Sequence, residues 1–180
     1  FYVGLVSRWM FLNNGQGDFD AVAGPMQFMF PDETGLPDMW LGKGMAMADY
    51  DRDGDLDIAV IPSDALDHST PPMLFENISP RGERHWLEVR LHATVSNRTA
   101  IGAEVRVTLA GWDRAPMVRQ ILGGHSSHSQ SERIAHFGLG EAVSVDRLEV
   151  RWPSGLVSIE EQVAVDQLVH IREPDGEGGD

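Results

Sequence analysis

The residues best suited to chemistry lie in one short stretch, positions 49–57, which reads DYDRDGDLD. Its five aspartates are Asp49, Asp51, Asp53, Asp55 and Asp57. This spacing lets a tight loop direct several oxygens at a hard cation: the first, second, third and fifth aspartates would supply side-chain oxygens, and the fourth its backbone carbonyl. Gly54 permits the sharp turn because it lacks a Cβ. The pattern predicts a Ca²⁺ site, and the alternative is an acidic solvated turn without metal.

The residues around this loop predict strands rather than helices. An EF-hand would need a bidentate glutamate at loop position 12, where this chain has Val60. Residues 58–61, Ile-Ala-Val-Ile, are typical of a buried β-strand, and the alternation of small and larger residues over 42–48 suits another. The loop is therefore expected to connect two β-strands.

Composition narrows the function classes. The chain has 180 residues, 42% of them hydrophobic, with a net charge of −14 and Lys43 as its single lysine. Such acidity argues against nucleic-acid binding, which needs a positive surface, and against adhesion to anionic membranes. Residues 1–12 are too short to span a bilayer and Arg8 interrupts them, so we expect no membrane insertion and a mature or internal fragment of an exported protein. The absence of cysteine leaves the redox compartment open.

The first half of the chain resembles FG-GAP/VCBS repeats, the blades of integrin-type β-propellers. The resemblance rests on the DxDxDG loop between strands and on Asn13-Asn14-Gly15-Gln16-Gly17-Asp18-Phe19, which also predicts a hairpin. The tetrapeptide FLNN at 11–14 is echoed by LFEN at 74–77, 63 residues later, which is roughly one blade with an insertion. We therefore predict a partial propeller over residues 1–80, with one blade and part of another.

The second half shows short alternating strands and predicts a small antiparallel β-sandwich over residues 85–173. Strands are expected at 86–91, 101–109, 117–122, 134–137, 148–152, 156–159 and 167–172. No segment has a helical stripe, so the whole chain is expected to be all-β. Residues 174–180, PDGEGGD, predict a disordered acidic tail.

A series of motifs in this half resembles the ASPIC/UnbV domain of the cartilage acidic protein family and its bacterial relatives. They are, in order, His85-Trp86-Leu87, residues 96–103 (SNRTAIGA), Ser129-Gln130-Ser131, residues 136–140 (HFGLG), Val145-Asp146 and residues 152–155 (WPSG). The resemblance implies a calcium-binding propeller followed by a small β-domain. It also implies an extracellular interaction role. One departure is residues 123–131, GGHSSHSQS, where the family pattern has an aromatic residue and this chain has two histidines.

Several other residues have a functional interpretation beside a structural one. His125 and His128, with His136 nearby, could bind a transition metal or simply close a polar loop. The serines at 126, 127, 129 and 131 invite a hydrolase hypothesis, but no nucleophile elbow is present. Exposed tryptophans, Trp40 and Trp112 above all, could stack on carbohydrate. Asn77 and Asn97 begin glycosylation sequons, and Asn97 is also suited to capping a turn, while His136 fits a hydrogen-bonded core position.

These observations favour a calcium-stabilised, non-enzymatic interaction, adhesion or assembly module of a secreted, cell-surface or periplasmic protein. Upstream blades or neighbouring chains are expected to pair with its open strand edges, and a protein or carbohydrate ligand is possible. Two alternatives stay open: an accessory or catalytic domain of an extracellular polysaccharide-acting enzyme, and a structural subunit of an extracellular polymer.

Overall fold

A computed structural model shows an all-β chain. It describes residues 2–4, 9–13, 18–22, 41–63, 72–80, 82–125 and 128–176. The strands are β1 (Tyr2–Gly4), β2 (Trp9–Asn13), β3 (Phe19–Val22), β4 (Leu41–Ala48), β5 (Asp57–Ser63), β6 (Met73–Phe75), β7 (His85–His92), β8 (Glu104–Leu109), β9 (Met117–Gln120), β10 (Ile134–Gly140), β11 (Ser144–Arg151), β12 (Val157–Ala164) and β13 (Gln167–Arg172). These ranges hold no helix, and therefore none that could cross a membrane. The all-β prediction is confirmed.

The chain forms two compact units. The first comprises residues 1–51, 56–80 and 125–131, and the second comprises residues 52–55, 81–124 and 132–180. The main division between them falls between Pro80 and Arg81.

The first unit contains two three-stranded antiparallel sheets, in the orders β1-β2-β3 and β4-β5-β6. The predicted hairpin is present, with Asn13 opposite Phe19 across β2 and β3. The two strands predicted on either side of the acidic loop are also present as β4 and β5, with Ala48 opposite Asp57. A sheet of three strands is a smaller unit than a four-stranded propeller blade, so the partial propeller remains a prediction.

A separate segment of the chain contacts strand β4 within this unit. The Ser129 hydroxyl donates a 2.7 Å hydrogen bond to the Met45 carbonyl, and the Ser131 hydroxyl accepts one of 3.2 Å from the Met47 N–H. Among the strands that the structure describes, β4 lies at the edge of its sheet and pairs with β5 alone. Serine side chains thus provide the partners that a further strand would otherwise supply.

The second unit contains sheets β10-β7-β13 and β12-β11-β8-β9. The two sheets share one core, to which each contributes alternate residues along its strands. The core includes Leu87, Val89, Val105, Val107, Phe137, Leu148, Val150, Trp152 and Ile171, all with at most 4% of their surface exposed. Fully burying such a side chain contributes about 2 kcal/mol, so this unit has the core of an independent domain.

The second unit differs from the sequence prediction in the direction of one strand and in the bounds of several others, among them β9 to β12. Strand β13 pairs with β7 in parallel, with Val169 opposite Val89, so the sandwich is not purely antiparallel. Alternation predicts which residues face a core but not strand direction, and the long chain between β7 and β13 permits the parallel arrangement. Strand β8 begins at Glu104 rather than at residue 101, because Ala100 and Gly102 have φ angles of 52° and 96°, which a strand cannot contain.

Several sequence predictions lie outside the described residues. They concern Trp40, the turn residues 14–17 of the hairpin, Ser126 and Ser127, and the last four residues of the acidic tail. Residues 174–176 are described and have no regular secondary structure.

Candidate metal centre

Three aspartates of the acidic loop converge. One carboxylate oxygen from each of Asp49, Asp51 and Asp57 lies within 4.8 Å of the others. Asp49 directly follows β4 and Asp57 begins β5, so the two antiparallel strands bring the ends of the loop together. Asp49 and Asp57 are 1% and 2% exposed, whereas Asp51 is exposed. The strand pair therefore fixes two ligands inside the unit and leaves the third at the surface.

The backbone orients the Asp57 carboxylate. Its Oδ2 accepts a 3.2 Å hydrogen bond from the Tyr50 N–H, and its Oδ1 accepts one of 2.7 Å from the Asn77 N–H. The side chain of Asn77 reaches back to the loop, donating from Nδ2 to the Leu56 carbonyl at 3.4 Å. The Asn77 Oδ1 in turn accepts a 3.2 Å hydrogen bond from the Ser79 N–H. Asn77 thus holds the last ligand of the cluster in place.

The middle of the loop belongs to the second unit. Asp53 Oδ1 accepts a 2.8 Å hydrogen bond from the Asp55 N–H, which is an Asx turn, and neither residue is in the three-carboxylate cluster. Arg52 and Gly54 both have left-handed backbone angles, with φ of 66° and 94°. The five predicted ligands therefore divide into three that are close together and two at the tip of the loop.

Within the second unit, the loop tip packs on the outer face of strands β7 and β10. A Cβ at Gly54 would overlap the indole ring of Trp86, so glycine is required there by space as well as by φ. The Nε2 atom of His136 lies 2.8 Å from the Gly54 carbonyl oxygen, and it must be the donor because the carbonyl can only accept. The expected hydrogen bond of His136 is confirmed, but the residue is half-buried on the outer face of β10 rather than in the core, which its neighbours Ala135 and Phe137 face.

Arginine and glutamate side chains add ion pairs at this place. Arg52 lies 3.4 Å from Glu88 and 3.7 Å from Glu132, and Arg90 lies 2.9 Å from Glu132. Glu88 is 1% exposed and faces away from the core residues that precede and follow it in β7. Its buried charge is offset by the arginine of the loop tip.

The surroundings of the cluster are negative. Partial desolvation raises the pKa of the Tyr50 phenol, and the nearby carboxylates of Glu76, Asp51 and Asp57 raise it further. A phenol whose ionisation is opposed by three carboxylates lies in a field that attracts cations.

The donor set fits a hard cation. All three convergent groups are carboxylates, and Ca²⁺ or Mg²⁺ prefers oxygen ligands, whereas Zn²⁺ and copper favour nitrogen or sulfur. Three ligands leave a Ca²⁺ ion short of its usual six to eight oxygens, so further carbonyls, side chains or waters would be needed.

The other sequence candidates have mixed outcomes. Among the described residues, the three-ligand group contains no histidine, so a transition-metal role for His125 and His128 stays a hypothesis. Asn97 caps a turn, as predicted: its Nδ2 donates to the Ile101 carbonyl at 2.8 Å and its Oδ1 accepts from the Ile101 N–H at 3.0 Å. Trp112 is exposed, as expected, whereas Trp152 lies in the core.

One functional residue, Asn77, could not be recognised from sequence as part of the site. The signal was present in the echo of FLNN in LFEN, which places an asparagine at the end of each motif. The echo indicates a repeat, but spacing alone does not show that this asparagine follows β6, the strand paired with β5, and therefore meets Asp57.

Comparisons with known proteins support the resemblance to the ASPIC/UnbV domain. Residues 93–178 match the family model described as ASPIC and UnbV. Cartilage acidic protein 1 of Xenopus tropicalis is 31% identical over 135 residues, which are 73% of this chain and 19% of the relative. The match therefore spans about a fifth of the length of that relative. The resemblance to FG-GAP/VCBS repeats remains a prediction. Over residues 93–178, the chain is thus similar to the ASPIC and UnbV family.

Proposed function

We propose that this chain is a calcium-binding, non-enzymatic interaction module of a secreted, cell-surface or periplasmic protein, in which the ion has a structural role. The observation that supports it is the convergence of Asp49, Asp51 and Asp57 on the loop between two strands. Without a cation these carboxylates repel one another, and two of them are buried, where repulsion is least screened. A bound Ca²⁺ removes this repulsion and stabilises the connection of β4 to β5.

The remaining ligands would come from the same loop. The Asp53 side chain and the Asp55 carbonyl are proposed to complete the coordination, as the loop spacing predicts. In the structure Asp53 accepts a hydrogen bond from the Asp55 N–H, so its recruitment requires a rearrangement of the Asx turn.

One observation supports an interaction role. The similarity to the ASPIC and UnbV family and to a cartilage acidic protein favours an extracellular module. Partners are proposed to be upstream blades or neighbouring chains that pair with open strand edges.

The test is a calorimetric titration with CaCl₂, followed by thermal melts in calcium and in chelator. We expect binding of Ca²⁺ and a higher melting temperature in calcium, since an ion that binds only the folded state stabilises it by mass action. Asp51→Asn should lower both the affinity and the calcium-dependent gain, and Asp113→Asn, on an exposed loop of the second unit, should change neither. Equal melting of wild type with and without calcium would contradict the proposal.

Asp53→Asn tests whether the loop tip contributes to the ligand set in addition to the three convergent carboxylates. A loss of affinity similar to that of Asp51→Asn would support recruitment of the loop tip. Unchanged affinity would restrict the site to the three convergent carboxylates.

A further inference from the structure

Two imidazole rings meet on the outer face of sheet β10-β7-β13. Their residues, His92 and His170, belong to neighbouring parallel strands and both are exposed. The Nε2 atom of His92 lies 2.8 Å from the Nδ1 atom of His170, and the rings meet edge to edge with centroids 5.1 Å apart and planes inclined by 14°. The core-facing neighbours of these histidines, Leu91 and Ile171, fix both side chains on the opposite face.

Strand register determines this arrangement. His170 lies opposite Arg90, and Arg172 lies opposite His92, so the two histidines are diagonal neighbours across a parallel ladder. Diagonal side chains on one face are within reach of each other when both are long or aromatic. The pair is therefore built by the central strand β7 and the edge strand β13 of the sheet rather than by a loop.

The separation of the two nitrogens suits a shared metal ion. Imidazole nitrogens bind divalent transition metals at about 2.0–2.1 Å. Two such bonds at a right angle place the nitrogens about 2.9 Å apart, and a tetrahedral angle places them about 3.4 Å apart. The observed 2.8 Å is close to the spacing of adjacent positions of a square-planar or octahedral ion. In the structure the two nitrogens face each other, so both exposed rings must rotate for their lone pairs to converge on one ion.

The two imidazole rings can exchange their hydrogen bond for a metal ion without gaining or losing a proton. Two facing nitrogens within hydrogen-bond distance share one proton, which one ring donates and the other accepts. When a metal ion binds, the donor ring moves this proton to its other nitrogen. Both rings then remain neutral and present a lone pair to the ion.

Positive charge beside the pair is offset. Arg90 lies 2.9 Å from Glu132, and Arg172 lies 3.5 Å from Asp175, so each arginine next to the histidines has a carboxylate partner. The net charge of −14 adds a general attraction for cations.

We propose that His92 and His170 form a two-imidazole site for a borderline divalent transition metal, Cu²⁺ or Ni²⁺, with water in the remaining positions. Among the described residues, the one group of three possible ligands is the aspartate cluster, so the histidine pair acts as a chelate of two. The ion would tie β13 to β7, and this site is chemically distinct from a hard-cation site built from aspartates.

The experiment titrates the full chain with NiCl₂ in saturating Ca²⁺, on an Asp51→Asn background that weakens the carboxylate cluster. We expect Ni²⁺ to raise the melting temperature and to bind with an affinity that His92→Asn or His170→Asn each lowers by roughly tenfold or more. His85→Asn is the matched control, because His85 lies on the same sheet but pairs with Asp166 at 2.6 Å. This variant should bind Ni²⁺ as the parent does.

A second measurement keeps the proposal testable if a variant is unstable. Paramagnetic Ni²⁺ should broaden the ring resonances of His92 and His170 in the parent protein before those of His85. Selective broadening supports the site. Uniform broadening, an absence of binding, or unchanged affinity in both His92→Asn and His170→Asn would overturn it.

Discussion

The Asp57 carboxylate accepts a 2.7 Å hydrogen bond from the backbone N–H of Asn77, a residue twenty positions later in the chain. This contact joins the end of the acidic loop to the segment that follows β6. The loop is therefore held from outside itself, which a sequence motif of nine residues does not reveal.

Asn77→Ala tests the side-chain contacts of Asn77 and leaves its backbone N–H bonded to Asp57. It removes the hydrogen bonds from Nδ2 to Leu56 and from the Ser79 N–H to Oδ1, each worth about 1 kcal/mol. We expect the free energy of unfolding to fall by about 1 to 2 kcal/mol and the Ca²⁺ affinity to fall with it. Denaturant unfolding and calorimetry measure the two effects. The exposed neighbour Ile78 supplies the control Ile78→Ala, and equal effects of the two variants would contradict the role given to Asn77.

Gly54→Ala tests the packing of the loop tip. The new methyl group would overlap the Trp86 ring and would also occupy a left-handed backbone angle. We expect a loss of about 2 to 4 kcal/mol of stability and a change in tryptophan fluorescence. Gly82 has φ of 61° with open space around it, so Gly82→Ala should cost only about 1 to 2 kcal/mol for the backbone angle. Equal destabilisation by the two variants would show that contact with Trp86 contributes nothing.

Much of the fold could be predicted from sequence because strand alternation depends only on local spacing. Strand β13 was predicted to the residue, and the hairpin of β2 and β3 followed from its Asn-Gly turn. The parallel pairing of β13 with β7 could not be predicted, because local spacing does not show which distant strand pairs with β7.

The candidate site was predicted in part. Loop spacing identified the aspartates, and the structure brings three of the five together. Loop spacing could not show that Gly54 packs on Trp86 or that His136 donates to the Gly54 carbonyl. Trp86 and His136 lie on strands far along the chain from the loop. Local sequence patterns therefore predict the type of site, whereas contacts between distant residues determine how the site is positioned.

Glu173 is a buried carboxylate that fastens the end of β13. Its Oε2 accepts hydrogen bonds from three successive N–H groups, those of Thr94, Val95 and Ser96, at 2.8 to 2.9 Å. Its Oε1 accepts from the hydroxyls of Ser96 and Ser154 at 2.6 Å. Burial opposes ionisation, but the hydrogen bonds outweigh it and lower the pKa of Glu173 to about 2.

This lowered pKa predicts a specific acid sensitivity. A glutamate in the unfolded chain has a pKa of about 4.3, so the carboxylate contributes stability that is complete above that pH and is lost as pH falls towards about 2. The shift corresponds to about 3 kcal/mol at neutral pH. Glu173→Gln should be less stable than wild type at pH 7, and the difference should narrow between pH 4 and pH 2. The control Glu161→Gln, on exposed β12, should show a small and constant difference, and a constant difference for Glu173→Gln would refute the prediction.

The serines beside β4 predict a residue-specific change in amide exchange. Ser131→Ala removes the acceptor of the Met47 N–H, so that amide should exchange with solvent faster. Ser129→Ala removes a donor to the Met45 carbonyl and leaves the Met47 N–H bonded, so its exchange should change less although stability falls by about 1 kcal/mol. Hydrogen exchange followed by NMR distinguishes the two variants. If neither variant alters the exchange of β4 amides, the hydroxyls do not close this edge, and β4 is then open to pairing with another chain.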